Sequence, residues 1–209
     1  MDTHQFRAPA AQFADDDCAV PAVDFALLLH AYGTASDTPA QLRALAAGDQ
    51  VARRAALAHL NSAIVHQGTP WTATGPVARQ LCVMLRQDAI ADAETLARTL
   101  RFLAEVAEAA GLGADEDLTS VAACAGRDIA AEVTALLTDP AEPDGADLVY
   151  EDEDRADALC ARAVLDCRAA LPAIADAARQ AASHPDDQVR DAAVRTTAEV
   201  ARVTARLAP

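Results

Sequence analysis

Aromatic side chains make up only 3% of this chain although 52% of it is apolar. Alanine fills most of that apolar fraction. A core made this way needs thin elements that approach closely, with Leu, Val and Ile as the larger knobs. Strands favour β-branched and aromatic residues, so sheet is disfavoured and an all-α fold is expected. The length of 209 residues is enough for a sizeable core, read here as one continuous domain over residues 22–209 behind an N-terminal arm at 1–21. Pro9, Pro21 and the run Asp15-Asp16-Asp17 give that arm little periodicity.

The formal charge is −15. Nucleic-acid affinity rests on clustered cations that neutralise phosphates, so a nucleic-acid partner is not expected, and anionic membranes are disfavoured on the same ground. No apolar run is long enough to span a bilayer and no secretory signal opens the chain, which predicts a cytoplasmic protein. All 17 basic residues are arginine. Without lysine there is no Walker-type phosphate lysine, Schiff base or lysine general base. The five cysteines include no C-x-x-C pair; Cys160 and Cys167 stand seven apart, about 10.5 Å along a helix, too far for a disulfide. They read as small buried hydrophobes, and no cofactor is implied.

Helical punctuation recurs along the chain. A short helix from Val23 stops at Gly33, and Ser36-Asp37-Thr38-Pro39 opens a second that ends at Gly48. Asp49 caps a longer helix with the stripe Ala52, Ala56, Leu60, Ala63 and Ile64. Gly68-Thr69-Pro70 breaks the chain, and Thr74-Gly75-Pro76 starts the next helix. Asp92 begins its partner, which Gly111-Leu112-Gly113 stops. A further pattern runs from Asp115 to Asp139, with a break at Gly126. After an acidic linker at 139–154, helix resumes from Arg155; Pro172 kinks it or starts a new segment. The last helix follows Pro185.

Two of these helices begin alike: Asp49-Gln50-Val51-Ala52-Arg53-Arg54-Ala55-Ala56 and Asp187-Gln188-Val189-Arg190-Asp191-Ala192-Ala193. This step resembles the second helix of a HEAT repeat, and Leu42 to Leu85 is similar to bacterial HEAT-like proteins of the actinobacterial type. The resemblance implies a right-handed α-solenoid of four to five antiparallel helix pairs with a concave face for a partner. It places Arg53 and Arg190 at matching positions, each facing an acidic group or the carbonyls of a neighbouring helix end.

Chemistry-bearing residues gather at two places. His66, Gln67 and Trp71 put polar and aromatic groups together at a helix end and turn, which suggests a cleft near Arg54 for a small ligand or substrate. The bland reading has Trp71 packing across the turn and His66 capping carbonyls. His59 and His66 are seven apart, not three or four, so they do not share a metal. The second place is the acidic run ending in Glu151, Asp152, Glu153 and Asp154. It mimics a calcium loop, but Pro140 occupies the first ligand position. Glu153-Asp154-Arg155-Ala156-Asp157 resembles the magnesium motif of isoprenoid synthases, whose second motif and aromatic walls are absent. The run reads as a solvated linker or a docking patch. These features lead to a non-catalytic scaffold, adaptor or regulator, an immunity-type inhibitor among them, for a protein partner that is basic where it docks. The alternative is an enzyme or ligand-binding protein using the His66–Trp71 cleft.

Overall fold

The computed structural model describes residues 23–141 and 145–208; the expected arm at 1–21 lies outside them. Nine α-helices carry the described chain: α1 (Thr38–Ala47), α2 (Gln50–His59), α3 (Thr74–Arg86), α4 (Ala93–Ala109), α5 (Leu118–Ala123), α6 (Ile129–Thr138), α7 (Gly145–Leu148), α8 (Glu153–Ala181) and α9 (Asp187–Leu207). Two short antiparallel hairpins accompany them, β1 (Leu29–His30) with β2 (Gly33–Thr34) and β3 (Val65–His66) with β4 (Thr69–Pro70). The all-α expectation holds. No described helix is long and apolar enough to cross a membrane.

Helix starts follow the aspartates. Asp49 accepts from the amide of Ala52 at 2.9 Å, and Asp92 accepts from both the amide and the hydroxyl of Thr95 at 2.8 and 2.6 Å. Asp186, one residue before the expected Asp187, caps α9. Counted from these caps, Arg53 and Arg190 both fall four residues on. Arg53 donates to the carbonyl of Gly48 at 2.6 Å, and Arg190 to those of His184 and Pro185 at 2.8 and 2.7 Å. Each guanidinium thus satisfies carbonyls where the preceding helix ends, groups that have no intrahelical donor. Arg168 does the same for Ala110, Leu112 and Gly113 after α4. In a chain without lysine, the planar guanidinium fork takes over the capping of helix ends.

The tertiary pairing does not establish the expected solenoid of antiparallel pairs. In a solenoid each pair touches only its neighbours in chain order. Here the principal contacts join α4 to α9, α3 to α8 and α8 to α9. Thr196 in α9 donates its buried hydroxyl to the carbonyl of Leu100 in α4 at 2.8 Å, across 96 residues of sequence. Gly75 in α3 lies so close to α8 that a Cβ there would stand 2.7 Å from the Asp166 side chain and 2.8 Å from its backbone. One core, with Phe102, Leu81, Leu100, Leu103, Ile174 and Val203 buried, runs through this α3–α4–α8–α9 bundle and takes in α1 and α2. Pro172 neither ends nor divides α8, which runs on as one helix to Ala181. Its neighbours Leu171 and Ile174 are buried in the core, and that packing holds the helix across the missing amide.

The helix expected from Val23 is a 3₁₀ turn at Phe25–Leu27 followed by the first hairpin. Its backbone is claimed from a distance: Leu29 accepts from the amide of Ala73, and Ala31 donates to Ala63. These pairings take the Leu29 carbonyl and the Ala31 amide out of an i to i−4 ladder. The acidic linker is also more structured than expected. It contains α7, and Asp152 caps α8 through the amide of Arg155 at 2.8 Å.

Candidate functional site

The sequence-chosen residues separate into four places. Arg54 lines a narrow crevice between α2 and α4 with Arg53, Asp92, Glu94 and Arg98. Trp71 packs half-buried, edge-on against Tyr150, with ring centroids 5.5 Å apart. Its Nε1 is buried without an acceptor among the described residues. Burial raises the Tyr150 phenol well above its ordinary value. This contact places Trp71 against the segment between α7 and α8.

His66 and Gln67 stand in that hairpin. Its two central residues, Gln67 and Gly68, have φ of 51° and 80°, the positive pair that a two-residue type I′ turn demands. His66 Nδ1 lies 2.8 Å from the Ser62 carbonyl and must donate to it. This is the carbonyl-capping role that the sequence offers as the bland reading.

Gln67 and Gly68 form one wall of a groove of about 370 Å³, together with Asn61 and Val65; Glu105, Glu108 and Ala109 of α4 form the other. The two glutamates, three apart, lie one turn from each other. Burial, then the charge of Glu108, raises the Glu105 carboxyl above the ordinary glutamate value. Sequence reading missed both, because on α4 they look like ordinary solvated positions of an amphipathic helix.

On the other side of the hairpin the rings continue. His66 meets Tyr32 edge-on at 5.7 Å, Tyr32 meets His30 at 6.2 Å and His30 meets His59 at 5.4 Å. Asp37 completes the group: its Oδ1 is 3.2 Å from His30 Nε2 and its Oδ2 is 3.7 Å from His59 Nδ1. His59 Nε2 lies 3.0 Å from the Thr38 hydroxyl. Burial lowers the His59 pKa, against a smaller opposite effect of Asp37, and His30 lowers it further. Hydroxyl, imidazole and carboxylate in this order resemble a nucleophilic triad, yet Thr38 is fully buried.

The acidic run divides. Arg127 bridges Glu132 and Asp152, at 2.5 and 2.9 Å. Those contacts hold both carboxyls below the ordinary carboxylate range. Glu151, Glu153 and Asp154 remain exposed. Neutralising all four positions 151–154 together, harmless on the linker reading, therefore removes a helix cap and an ion network. Of the cysteines, Cys82 and Cys167 are the buried hydrophobes expected, their thiols pushed up to about 12 by burial; Cys160 is instead exposed. No protein-family model matches the chain, and neither a curated protein nor a solved structure does.

Proposed function

We propose that the protein is a non-catalytic binding protein, an adaptor or regulator, that receives a basic segment of a protein partner in the groove between the second hairpin and α4. The observation that carries this reading is the groove's charge: among the described residues, the ionisable ones that line it are Glu105 and Glu108. Like charges one turn apart repel each other, and burial adds to the cost on Glu105. A guanidinium or ammonium between them removes both penalties, while Val65 and Ala109 offer apolar surface to its methylene stem. The net charge of −15 steers such a partner inward and acts mainly on association rate. The four described cysteines are free thiols, which suits a reducing cytosol.

The test is an amide NMR titration of the full chain with a tri-arginine peptide. Shifts centred on Gln67, Gly68 and Ala109, lost in Glu105→Gln/Glu108→Gln and kept in Glu151→Gln/Glu153→Gln, are the expected result. Shifts that instead follow the α8 N-terminus would sink the groove. Because a cation favours ionised Glu105, affinity should fall as pH drops through that group's titration, which begins above the ordinary glutamate value.

A further inference from the structure

We infer that His30, Asp37 and His59 form a binding site for a divalent transition-metal ion of the zinc class. The three come from β1, the turn before α1 and the last turn of α2, so two tight hairpin and helix junctions bring them together. One ligand atom from each lies within 4.8 Å of the others. Bonds of about 2.0–2.1 Å around a tetrahedral ion put ligand atoms about 3.3 Å apart. The two imidazoles approach opposite oxygens of the carboxylate, His30 Nε2 at 3.2 Å from Oδ1 and His59 Nδ1 at 3.7 Å from Oδ2, so a small turn of Asp37 and closure of the remaining gap from within 4.8 Å would complete the set.

The side chains are already held in place for an ion. The imidazoles are 6% and 10% exposed and packed edge-on, so little side-chain freedom remains to be lost, while Asp37, 55% exposed, leaves a way in. Asp37 also forgoes a local task. It stands at the N-cap of α1, where an aspartate ordinarily accepts a backbone amide, and its carboxylate accepts none from the helix. It is turned to the two rings instead.

At His59 the hydrogen bond beyond the ligand atom already favours ligation. Its Nε2–H can donate to the Thr38 hydroxyl, which leaves the Nδ1 lone pair facing Asp37; a ligating histidine is ordinarily oriented this way. His30 differs. Its Nδ1 accepts from the amide of Tyr32 at 3.1 Å, so without metal its Nε2 carries the proton and donates to Asp37. Ligation through Nε2 moves that proton to Nδ1 and turns the Tyr32 amide to solvent. Tyr32 sits in the two-residue loop of the first hairpin and is 67% exposed, so water can take over. The loss of one neutral hydrogen bond lowers affinity about tenfold. Two nitrogens and one carboxylate suit zinc, cobalt or nickel; magnesium and calcium require oxygen. Three protein ligands leave a fourth position for water.

The inference is independent of the docking groove and is tested on the full chain with the metals alone. Equilibrium dialysis should give one bound Zn²⁺ per chain, and Co²⁺ should show the visible bands of a tetrahedral site. Asp37→Asn, which alters an exposed side chain and keeps the fold, should weaken Zn²⁺ at least tenfold to a hundredfold, the range that loss of an outer-shell partner alone produces. His59→Gln should do the same, with folding checked by circular dichroism. His66→Ala and His184→Ala should bind as the parent does. On Zn²⁺ addition the Tyr32 amide resonance should shift. Binding unchanged in Asp37→Asn, an unmoved Tyr32 amide, Mg²⁺ binding as tight as Zn²⁺, or no bound Zn²⁺ would each overturn the site.

Discussion

Replacing Gly75 by alanine tests whether α3 lies on α8. On an isolated or solvent-facing helix the change stabilises, because alanine is the better helix former by up to about 1 kcal/mol and restricts the unfolded chain. Gly75 is the second residue of α3, so the gain there is smaller. In the bundle, the new Cβ meets Asp166 at 2.7, 2.8 and 2.9 Å, and two of those three atoms belong to the backbone of α8. No rotamer change relieves a backbone contact; one helix must retreat by several tenths of an ångström. Overpacking of this kind costs about 1–3 kcal/mol. The net expectation is a loss of about 1–2 kcal/mol, a lowering of Tm by roughly 2–8 °C for a domain of this size. Asp166→Gly in the same chain should not restore the loss, because the backbone contacts persist. Thermal melting at 222 nm and urea unfolding read both variants. An unchanged or raised Tm for Gly75→Ala would refute the close approach of α3 and α8, and with it the bundle.

Two further changes probe the helix ends. Asp92→Ala removes the cap of α4 and should cost about 1 kcal/mol in urea unfolding. Thr95 holds that carboxyl below its ordinary value through its hydroxyl and its amide, so the contribution is present above the unfolded carboxyl pKa and disappears as pH falls through the folded one. Arg127→Met breaks the bridge between Glu132 and Asp152. Both carboxyls are depressed in the fold, so the variant's deficit relative to the parent should be fully present at pH 7 and vanish below the carboxylate range; a deficit that persists in acid would mean that Arg127 acts by packing.

Much of the helical layout was legible because its signals are local. Asp49 and Asp92 announce themselves as caps, Gly48 and the Gly111–Gly113 segment as stops, and the shared opening of α2 and α9 reflects a real device in which an arginine four residues past the cap closes the preceding helix end. That device, however, is confined to one helix and its entry turn. It says nothing about which helix lies alongside, and here it occurs in helices whose principal partners are α1 for α2, and α4 and α8 for α9. Periodicity identifies the buried face of α9 but not that Thr196 will meet Leu100. The first hairpin escaped for the same reason: the segment from Val23 to Tyr32 is apolar enough to read as a short helix, and only the distant amide of Ala73, which donates to Leu29, and the carbonyl of Ala63, which accepts from Ala31, draw it into an extended turn.

The metal-ligating group was illegible for a different reason. In the sequence, His59 pairs naturally with His66, because helical spacing is the rule that converts residue separation into distance without a fold. His30 and Asp37 are seven apart, and His59 is 22 beyond Asp37; no spacing rule joins them. What brings them together is the pair of hairpins, each closed by residues with positive φ, Gly33 in one and Gln67 and Gly68 in the other. The second hairpin has two faces, with the acidic groove beyond Gln67 on one side and the ring series from His66 to His59 on the other. Aligned between a rigid bundle and two short turns, both sites are supported by the elements that the alanine-rich composition made least expected.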